Sequence, residues 1–362
     1  MADCAAASLM NAPQPPLTNP LLALVPGFSA PHLCLGQYPT PVQPLPFLGA
    51  AWVKREDQSS PIYGGNKVRT LEFLLANMKA QGFTRLWGLG AYGSNHALAA
   101  VLHGRRAGLE VRALLFPQPA TATATDNLRA SLSHADGVLA LRTIATFPFH
   151  ILRLKLAGGS YVMPPGGAVP LGAFGHASAA LELAQQVKSG LMPAPAHIVL
   201  AVGSTCTTAG LMAGLCLASH IGLWPGDLPV IHSVRVTPWP VTARFRVVGL
   251  ARRTLLAIAQ RGGPTLDPAG LPRLAMHGRY LGKGYGKPTR GGLEIAQVFA
   301  DKGGPPLDTT YAGKSGAALA DLARTLAGPL LFWSTKSSVP LPPDDPQKLQ
   351  LAPAHVRRWL GI

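Results

Sequence analysis

Cysteine, long apolar runs and secretion signals are scarce or missing in this sequence. Four of its 362 residues are cysteine, and none is spaced from another cysteine or a histidine as in a disulfide framework or a zinc site. No apolar run reaches the roughly 20 residues that a membrane helix needs. Residues 1–30 have no basic segment ahead of their apolar stretch, which argues against a signal peptide. We therefore expect a cytoplasmic protein with reduced thiols, no bound metal and no membrane partner.

Acidic residues are also few. The 16 Asp and Glu residues stand against 32 Lys and Arg, which gives a net charge of +16. Such a charge is common among nucleic-acid-binding proteins, and several arginines cluster within residues 244–261. The other cations are spread along the chain, and no basic stretch is interleaved with aromatic residues. We predict a solvated cationic surface and no nucleic-acid partner, with nucleic-acid binding as the minority hypothesis.

Motifs of several enzyme classes are absent or incomplete. No GxSxG segment marks a serine hydrolase, and no carboxylate or histidine cluster has the spacing of a metal site. The glycine-containing loop at residues 203–208 lacks the lysine of a nucleoside-triphosphate P-loop, and it does not spell the GxGxxG of dinucleotide folds. These three chemistries are therefore disfavoured.

Short apolar strands alternate with glycine-rich turns and small-residue helices from residue 51 onward. This alternation predicts an α/β fold with parallel sheets, and the length predicts more than one core. We predict two doubly wound αβα lobes with a ligand cleft between them, at the carboxyl ends of the strands. Residues 1–50 would form a proline-rich arm, residues 51–75 and 181–362 a large lobe, and residues 76–180 a small inserted lobe.

Lys67 is the first candidate for chemistry. It follows two glycines and an asparagine, just before a helix predicted over Thr70 to Gln81. An amine attacks an aldehyde only when it is neutral, so a lysine whose pKa is lowered by burial or by a nearby cation suits Schiff-base chemistry. Arg69 is a candidate for that cation. A solvated lysine in the first turn of a helix is the more common alternative, and only the segments downstream favour the reactive one.

A second candidate is the loop after the buried strand His197–Val202. It consists of Gly203, Ser204, Thr205, Cys206 and Thr207. Free backbone N–H groups, hydroxyls and a helix N-terminus together suit a phosphate. Capping of a core helix by Ser or Thr is an equally common explanation.

Two further segments place polar groups on loops. Ser94 and Asn95 join a strand to a helix, where Ser94 either caps the helix or, with Asn95, offers a hydroxyl and an amide to a ligand. Tyr285 and Tyr311 lie near glycines toward the C-terminus. Such tyrosines are usually half-buried loop residues, but in a cleft a phenol can stack on an aromatic cofactor or shuttle a proton.

Seven segments, taken in order, resemble the D-cysteine desulfhydrase and 1-aminocyclopropane-1-carboxylate deaminase family. They are Lys54-Arg55-Glu56-Asp57, Gly64-Gly65-Asn66-Lys67, Gly93-Ser94-Asn95-His96, Pro164-Pro165-Gly166-Gly167, Gly203 to Gly210, Gly284-Tyr285-Gly286 and Tyr311-Ala312-Gly313-Lys314. The likeness covers roughly Val53 to Thr335. It implies the tryptophan synthase β-like fold (fold type II), pyridoxal 5'-phosphate (PLP) as cofactor, a small amino acid as substrate, and a homodimer.

The resemblance also implies roles for individual residues on the cofactor side. Lys67 would be the Schiff-base lysine, and Asn95 would meet the ring hydroxyl of PLP. Residues 203–207 would hold its phosphate, and Thr335 would face its pyridine nitrogen. On the substrate side, a hydroxyl near the amino-acid carboxylate and phenols near the reacting carbon would come from Ser94, Tyr285 and Tyr311.

The chain departs from the family at three places. Relatives carry glycines where this chain has Thr205 and Cys206, so a positive φ at those positions would cost strain. Ala312 stands where the deaminases carry a glutamate that pairs with the pyridine nitrogen, which disfavours cyclopropane ring opening. Lys336-Ser337 replaces a glycine pair after Thr335.

We draw three functional hypotheses from the sequence. The first is a PLP-dependent lyase acting on D-cysteine or a related amino acid, with pyruvate, ammonia and sulfide as products. The second is a deaminase or amino-acid racemase on the same scaffold. The third is a catalytically silent relative that binds cofactor or partner without turnover, suggested by Thr205 and Cys206.

Overall fold

The computed structural model describes residues 19–362, so the first 18 residues of the predicted proline-rich arm lie outside the described residues. The strands are β1 (Val42–Pro44), β2 (Ala51–Lys54), β3 (Arg85–Ala91), β4 (Glu110–Phe116), β5 (Gly137–Ala140), β6 (Tyr161–Val162), β7 (His197–Val202), β8 (Val230–Arg235), β9 (Leu274–His277) and β10 (Leu330–Trp333). The helices are α1 (Pro20–Leu24), α2 (Lys67–Ala80), α3 (Asn95–Arg106), α4 (Ala122–His134), α5 (Phe147–Ala157), α6 (Pro170–Lys188), α7 (Cys206–His220), α8 (Arg244–Ala259), α9 (Arg290–Asp301), α10 (Ala312–Ala323), α11 (Pro346–Gln350) and α12 (Ala354–Leu360).

Two sheets organise these elements. The larger has the strand order β1-β2-β10-β7-β8-β9, and the smaller has the order β5-β4-β3-β6. Every pairing is parallel except the one between β1 and β2. The predicted α/β fold with two parallel-sheet lobes is confirmed. The residue boundaries assigned to the lobes stay a prediction.

Helices cover both faces of each sheet, because successive apolar side chains along a buried strand point to opposite faces. In the large sheet, Ile198, Leu200 and Val202 of β7 pack into a core shared with α6, α7 and α8. Val199 points the other way and packs with residues of α9 and α10. The small sheet packs against α2, α3 and α4 on one face and against α5 on the other.

The arm residues that the structure describes belong to the body of the protein. Prolines limit them to short elements, of which α1 spans five residues. Leu21, Val25 and Phe28 are buried in the main core of the large sheet. Strand β1 pairs antiparallel with β2 and covers that edge of the large sheet. This segment therefore packs as part of the large-sheet core.

Four buried charged side chains join β2 to α2 and α6. Lys54 Nζ lies 2.5 Å from a Glu182 carboxylate oxygen. Arg69 lies 2.6 Å from Glu56 and 3.0 Å from Glu182. None of the four side chains is more than 3% exposed. Two cations and two carboxylates balance here, as buried charges must.

Within residues 19–362, no helix is both long and apolar enough to cross a membrane. The same residues contain no group of three or more His, Cys, Asp or Glu side chains arranged to bind a metal ion.

Candidate active site

A cavity of about 720 Å³ lies where the carboxyl ends of the two parallel sheets meet. Its wall includes the last residues of β3 and β7 and Thr335, which follows β10. Open α/β sheets bind ligands at this end of their strands. Among the described residues that line it, none is Asp or Glu, so the fixed charges of the wall are positive. The site residues predicted from the sequence all line this cavity, except Cys206.

The turn before Lys67 is fixed against the end of β10. Gly65 has a φ of +93°, and a Cβ there would lie 2.7 Å from the carbonyl oxygen of Thr335. Asn66 N donates to that same oxygen at 3.2 Å. Only glycine permits this approach, and it lets α2 begin at Lys67 with the lysine facing the cavity.

Lys67 has the environment of a neutral amine. Its Nζ lies 3.4 Å from Ser204 Oγ, across the cavity wall. Burial lowers the pKa of Lys67 from its ordinary value. The interpretation of Arg69 as a flanking cation is wrong, because its guanidinium pairs with Glu56 and Glu182 in the buried cluster. Burial of the amine, and not a neighbouring cation, therefore lowers the pKa of Lys67.

The loop after β7 forms the predicted anion cradle. Helix α7 begins at Cys206, and its first N–H groups have no partner within the helix. Gly203, Ser204, Thr205 and Thr207 line the cavity beside them. The Cys206 thiol turns away and donates to the Gly167 carbonyl oxygen at 3.1 Å. Its side chain therefore faces the protein interior.

Thr205 carries the backbone strain that the sequence analysis anticipated. Its φ is 70°, and it is the one non-glycine residue with positive φ among residues 19–362. Cys206, in contrast, starts the helix, so the threonine bears the cost alone. A β-branched residue in this region is unusual in proteins.

Thr205→Gly is expected to raise the free energy of unfolding of the cofactor-free protein by about 1 kcal/mol. A left-handed conformation costs a non-glycine residue about 1–2 kcal/mol, and the flexibility of glycine in the unfolded chain offsets part of the gain. Equilibrium unfolding in urea measures the difference. The matched control, Thr207→Gly, should lose stability, because Thr207 lies within α7 and its hydroxyl accepts from Asn66 at 2.7 Å. A less stable Thr205→Gly protein would show that the turn is not strained.

Asn95 is oriented by two residues that the sequence analysis did not identify. Its side-chain oxygen accepts from the Tyr63 hydroxyl at 3.0 Å and from the Asn127 amide at 2.7 Å. With the oxygen occupied, the amide N–H₂ remains to donate to a ligand in the cavity. Ser94 caps α3 by accepting from Ala97 N at 3.2 Å, which leaves its own hydroxyl proton available.

Residues 336 and 337 explain one departure from the family pattern. The Lys336 ammonium lies 5.4 Å from the centre of the Tyr63 ring, and Tyr63 in turn orients Asn95. Ser337 Oγ accepts from Gly64 N at 2.9 Å and so helps hold the turn before Lys67. Lys336 therefore contacts the ring that orients Asn95, and Ser337 fixes the turn before Lys67.

Tyr285 and Tyr311 form a pair in the cavity wall. Their hydroxyl oxygens are 2.7 Å apart. Burial raises the pKa of Tyr285 to about 12 and that of Tyr311 well above its usual value, so both phenols are protonated at neutral pH. The buried ammonium of Lys314 donates to two carbonyl oxygens of the loop that carries Tyr285, each at 2.9 Å.

His96 is a buried histidine beside Lys67. Burial lowers the pKa of His96 to about 3, so the ring is neutral at physiological pH. Neither ring nitrogen has a hydrogen-bond partner among the described residues, although the side chain lines the cavity. Such a group is available to a ligand.

The wall therefore combines an amine whose pKa burial lowers, a helix start with free N–H groups and a fixed amide donor. A phosphorylated aromatic aldehyde such as PLP needs these three partners, for its aldehyde, its phosphate and its ring oxygen. Lys67, the start of α7 and Asn95 would supply them. Thr335 lines the same cavity. Ala312 begins α10 as a buried residue and offers no carboxylate.

Comparison with known proteins agrees with this fit. Residues 33–334 match the family described as pyridoxal-phosphate dependent enzyme. The chain is 32% identical over 319 residues to a nocardicin C-9' epimerase of Nocardia uniformis subsp. tsuyamanensis, with 85% of this chain and 93% of that protein covered. It is also 32% identical over 332 residues to a D-cysteine desulfhydrase of Salmonella schwarzengrund, with 84% and 93% covered.

Solved structures show the same architecture. An ACC deaminase homologue superposes with a TM-score of 0.71 and 27% identity, over 87% of this chain and 93% of that chain. Threonine deaminase isoform 2 from Solanum lycopersicum superposes with a TM-score of 0.56 and 15% identity, over 95% and 92% of the two chains, and this likeness concerns the fold alone.

Proposed function

Because the chain belongs to the family of pyridoxal-phosphate-dependent enzymes, as its sequence segments predicted, we propose that it is a lyase that breaks bonds at Cα and Cβ of an amino acid. PLP is its cofactor. Elimination from D-cysteine, to pyruvate, ammonia and sulfide, is the first candidate reaction. The observation that carries the proposal is the Lys67 amine, whose pKa burial lowers and which lies beside the start of α7. A homodimer, as the resemblance implies, and a cytoplasmic location belong to the same proposal.

Lys67 acts as the proton carrier at Cα. PLP, when bound, supplies an electron sink next to the substrate α-carbon. A neutral amine accepts a proton, and the lowered pKa of Lys67 raises the fraction of neutral amine at physiological pH. Ser204 Oγ, 3.4 Å away, holds the amine at the cradle side of the cavity.

Binding and orientation fall to the groups around it. The start of α7, with the Ser204 and Thr207 hydroxyls, would hold the phosphate of PLP, because unpaired N–H groups favour an anion there. Asn95 would donate its amide hydrogen to the ring oxygen, and Thr335 would offer a hydroxyl to the ring nitrogen. The Ser94 hydroxyl donates to the α-carboxylate of the substrate.

The tyrosine pair stabilises the leaving group. One hydroxyl donates to the other, so a single phenolic hydrogen remains free to point at the substrate. When the Cβ–S bond breaks, its electron pair goes to sulfur, and this phenolic hydrogen donates a hydrogen bond to the departing thiolate, which takes its proton from solvent. Both phenols keep their protons throughout, because burial raises their pKa values.

The alternatives differ in what supports them. Ring opening of a cyclopropane amino acid is disfavoured, because Ala312 occupies the position of the glutamate and no carboxylate lines the cavity among the described residues. Racemisation or epimerisation is the second candidate. It is favoured by two separate proton-bearing groups on one cavity, Lys67 and the tyrosine pair, and by the epimerase among the relatives. The silent hypothesis depends on the strain at Thr205.

One set of assays separates these reactions. The purified protein, loaded with PLP, is given D-cysteine, L-cysteine and 1-aminocyclopropane-1-carboxylate in deuterium oxide, and sulfide, ammonia and Cα deuteration are measured. We expect sulfide with pyruvate from at least one cysteine enantiomer and no ammonia from the cyclopropane. Deuteration without sulfide would favour the racemase. A protein that binds PLP and gives neither product nor deuteration is the silent relative.

A further inference from the structure

The cavity extends beyond the groups that the proposed reaction uses. Its outer wall is apolar and comes from both lobes. Ile144 and Phe147 lie after β5 in the small sheet, and Val241 and Phe245 lie after β8 in the large one. The side chain of a cysteine whose Cα lies at Lys67 ends at its sulfur, one atom beyond Cβ. It would therefore not fill the outer part of the cavity, which would hold water.

Three of these four residues are exposed although they are apolar, and Phe147 is half-buried. Ile144 is 58% exposed and Phe245 is 67% exposed. Large apolar side chains that line one cavity, rather than lying singly over a surface, mark a place where an apolar ligand binds. The body of such a ligand would pass between the two lobes.

Two arginines stand at the same outer wall. Arg246 and Arg253 are seven residues apart on α8, with Leu250 between them, and all three side chains line the cavity. That spacing places both guanidinium groups on one face of the helix, about 10 Å apart along its axis. Neither forms an ion pair within residues 19–362. With no carboxylate in the cavity wall, an anionic group of the ligand is their natural partner.

On the basis of the proposed function, we propose that the substrate is an amino acid with a large apolar side chain that ends in an anion. The apolar residues of the two lobes enclose the body of the side chain, and Arg246, together with Arg253, binds its end. For elimination, the substrate class is a cysteine thioether. Lysis of its Cβ–S bond places the electron pair on sulfur, which takes a proton and leaves as a thiol. One water then converts the three-carbon remainder to pyruvate and ammonia.

The test compares three probes in both enantiomers: cysteine, S-benzylcysteine and S-(4-carboxybenzyl)cysteine. Pyruvate release gives kcat/KM, and the change in cofactor absorbance on titration gives the affinity. We expect kcat/KM to rise from cysteine to the benzyl compound, and again to the carboxybenzyl compound. In Arg246→Gln and Arg253→Gln, the preference for carboxybenzyl over benzyl should fall about 10–100-fold, the worth of a charge-assisted hydrogen bond. Arg252→Gln, an exposed neighbour on α8 that does not line the cavity, should keep it.

The outcomes distinguish the two proposals. Cysteine turned over as well as the carboxybenzyl compound would overturn the inference and leave the lyase intact. No product and no absorbance change with any probe would contradict the lyase itself. If the two arginine variants instead weaken the binding of PLP, measured by titration of the cofactor-free protein, the arginines serve the phosphate and the inference is wrong.

Discussion

Lys67→Ala is expected to lower turnover by about 10³-fold or more and to remove the visible absorbance of the bound cofactor. A positioned proton carrier contributes about 10²–10⁴-fold, and Lys67 is in addition the group that attaches the cofactor. The measurement is the absorbance spectrum of the purified protein together with the rate of pyruvate release. The fold should persist, because removal of a partly desolvated amine leaves no unpaired charge.

Lys79→Ala is the matched control for this experiment. Lys79 lies on the same helix, is exposed, and donates only to the Ala107 carbonyl oxygen at the surface. It should retain both the absorbance and the rate. An active, coloured Lys67→Ala protein would mean that another amine carries the chemistry, and the proposed site would have to be abandoned.

Glu182→Gln is expected to lower the free energy of unfolding by about 3–5 kcal/mol. The substitution keeps the shape of the side chain but leaves Lys54 and Arg69 facing Glu56 alone, and an uncompensated buried charge costs about that much. Urea unfolding of the cofactor-free protein gives the value. Glu110→Gln is the control and should unfold much as the unchanged protein does, because the pairs of Glu110 with Arg85 and Arg112 are half-exposed and solvent screens them.

The same variant makes a pH prediction. Burial already lowers the pKa of Lys54, and the loss of Glu182 removes the charge that most opposes this shift. A lysine whose pKa is lower in the folded than in the unfolded state destabilises the fold increasingly as the pH falls below about 10.4. The stability lost in Glu182→Gln should therefore be greater at pH 6 than at pH 9. Equal losses at the two pH values would show that Lys54 does not carry the excess charge.

Local patterns predicted much of this protein because its strands are short, apolar and bounded by turns. The strand predicted over His197–Val202 has those same bounds in β7. The helix predicted from Thr70 begins three residues earlier, at Lys67. No side-chain cap marks this start, and Asn66 is fixed instead by the hydrogen bond from its backbone N to the Thr335 carbonyl oxygen just after β10. Helix α8 was not predicted, because an arginine-rich segment resembles a solvated surface and nothing local shows that it lines a cavity.

The unpredicted parts of the site depend on contacts between distant residues. Tyr63 and Asn127 reach Asn95 from 32 positions before and after it, and no spacing rule connects them. The sequence suggests Arg69 as the cation beside Lys67 only because the two residues are close in sequence. One of its two carboxylate partners, Glu182, lies 113 residues away. The sequence therefore predicts most of the residues that line the cavity, while the orientation of their side chains depends on tertiary pairing.

The place of β10 in the large sheet has a consequence for synthesis of the protein. This strand comes last among the strands, yet it lies between β2 and β7, and its end supports the turn that carries Lys67. While the chain is on the ribosome, β2 and β7 lack the strand that pairs with both of them until residues 330–335 have emerged. The turn that carries Lys67 consequently gains its support only after β10 has joined the sheet, so a chain terminated before residue 330 would lack that support.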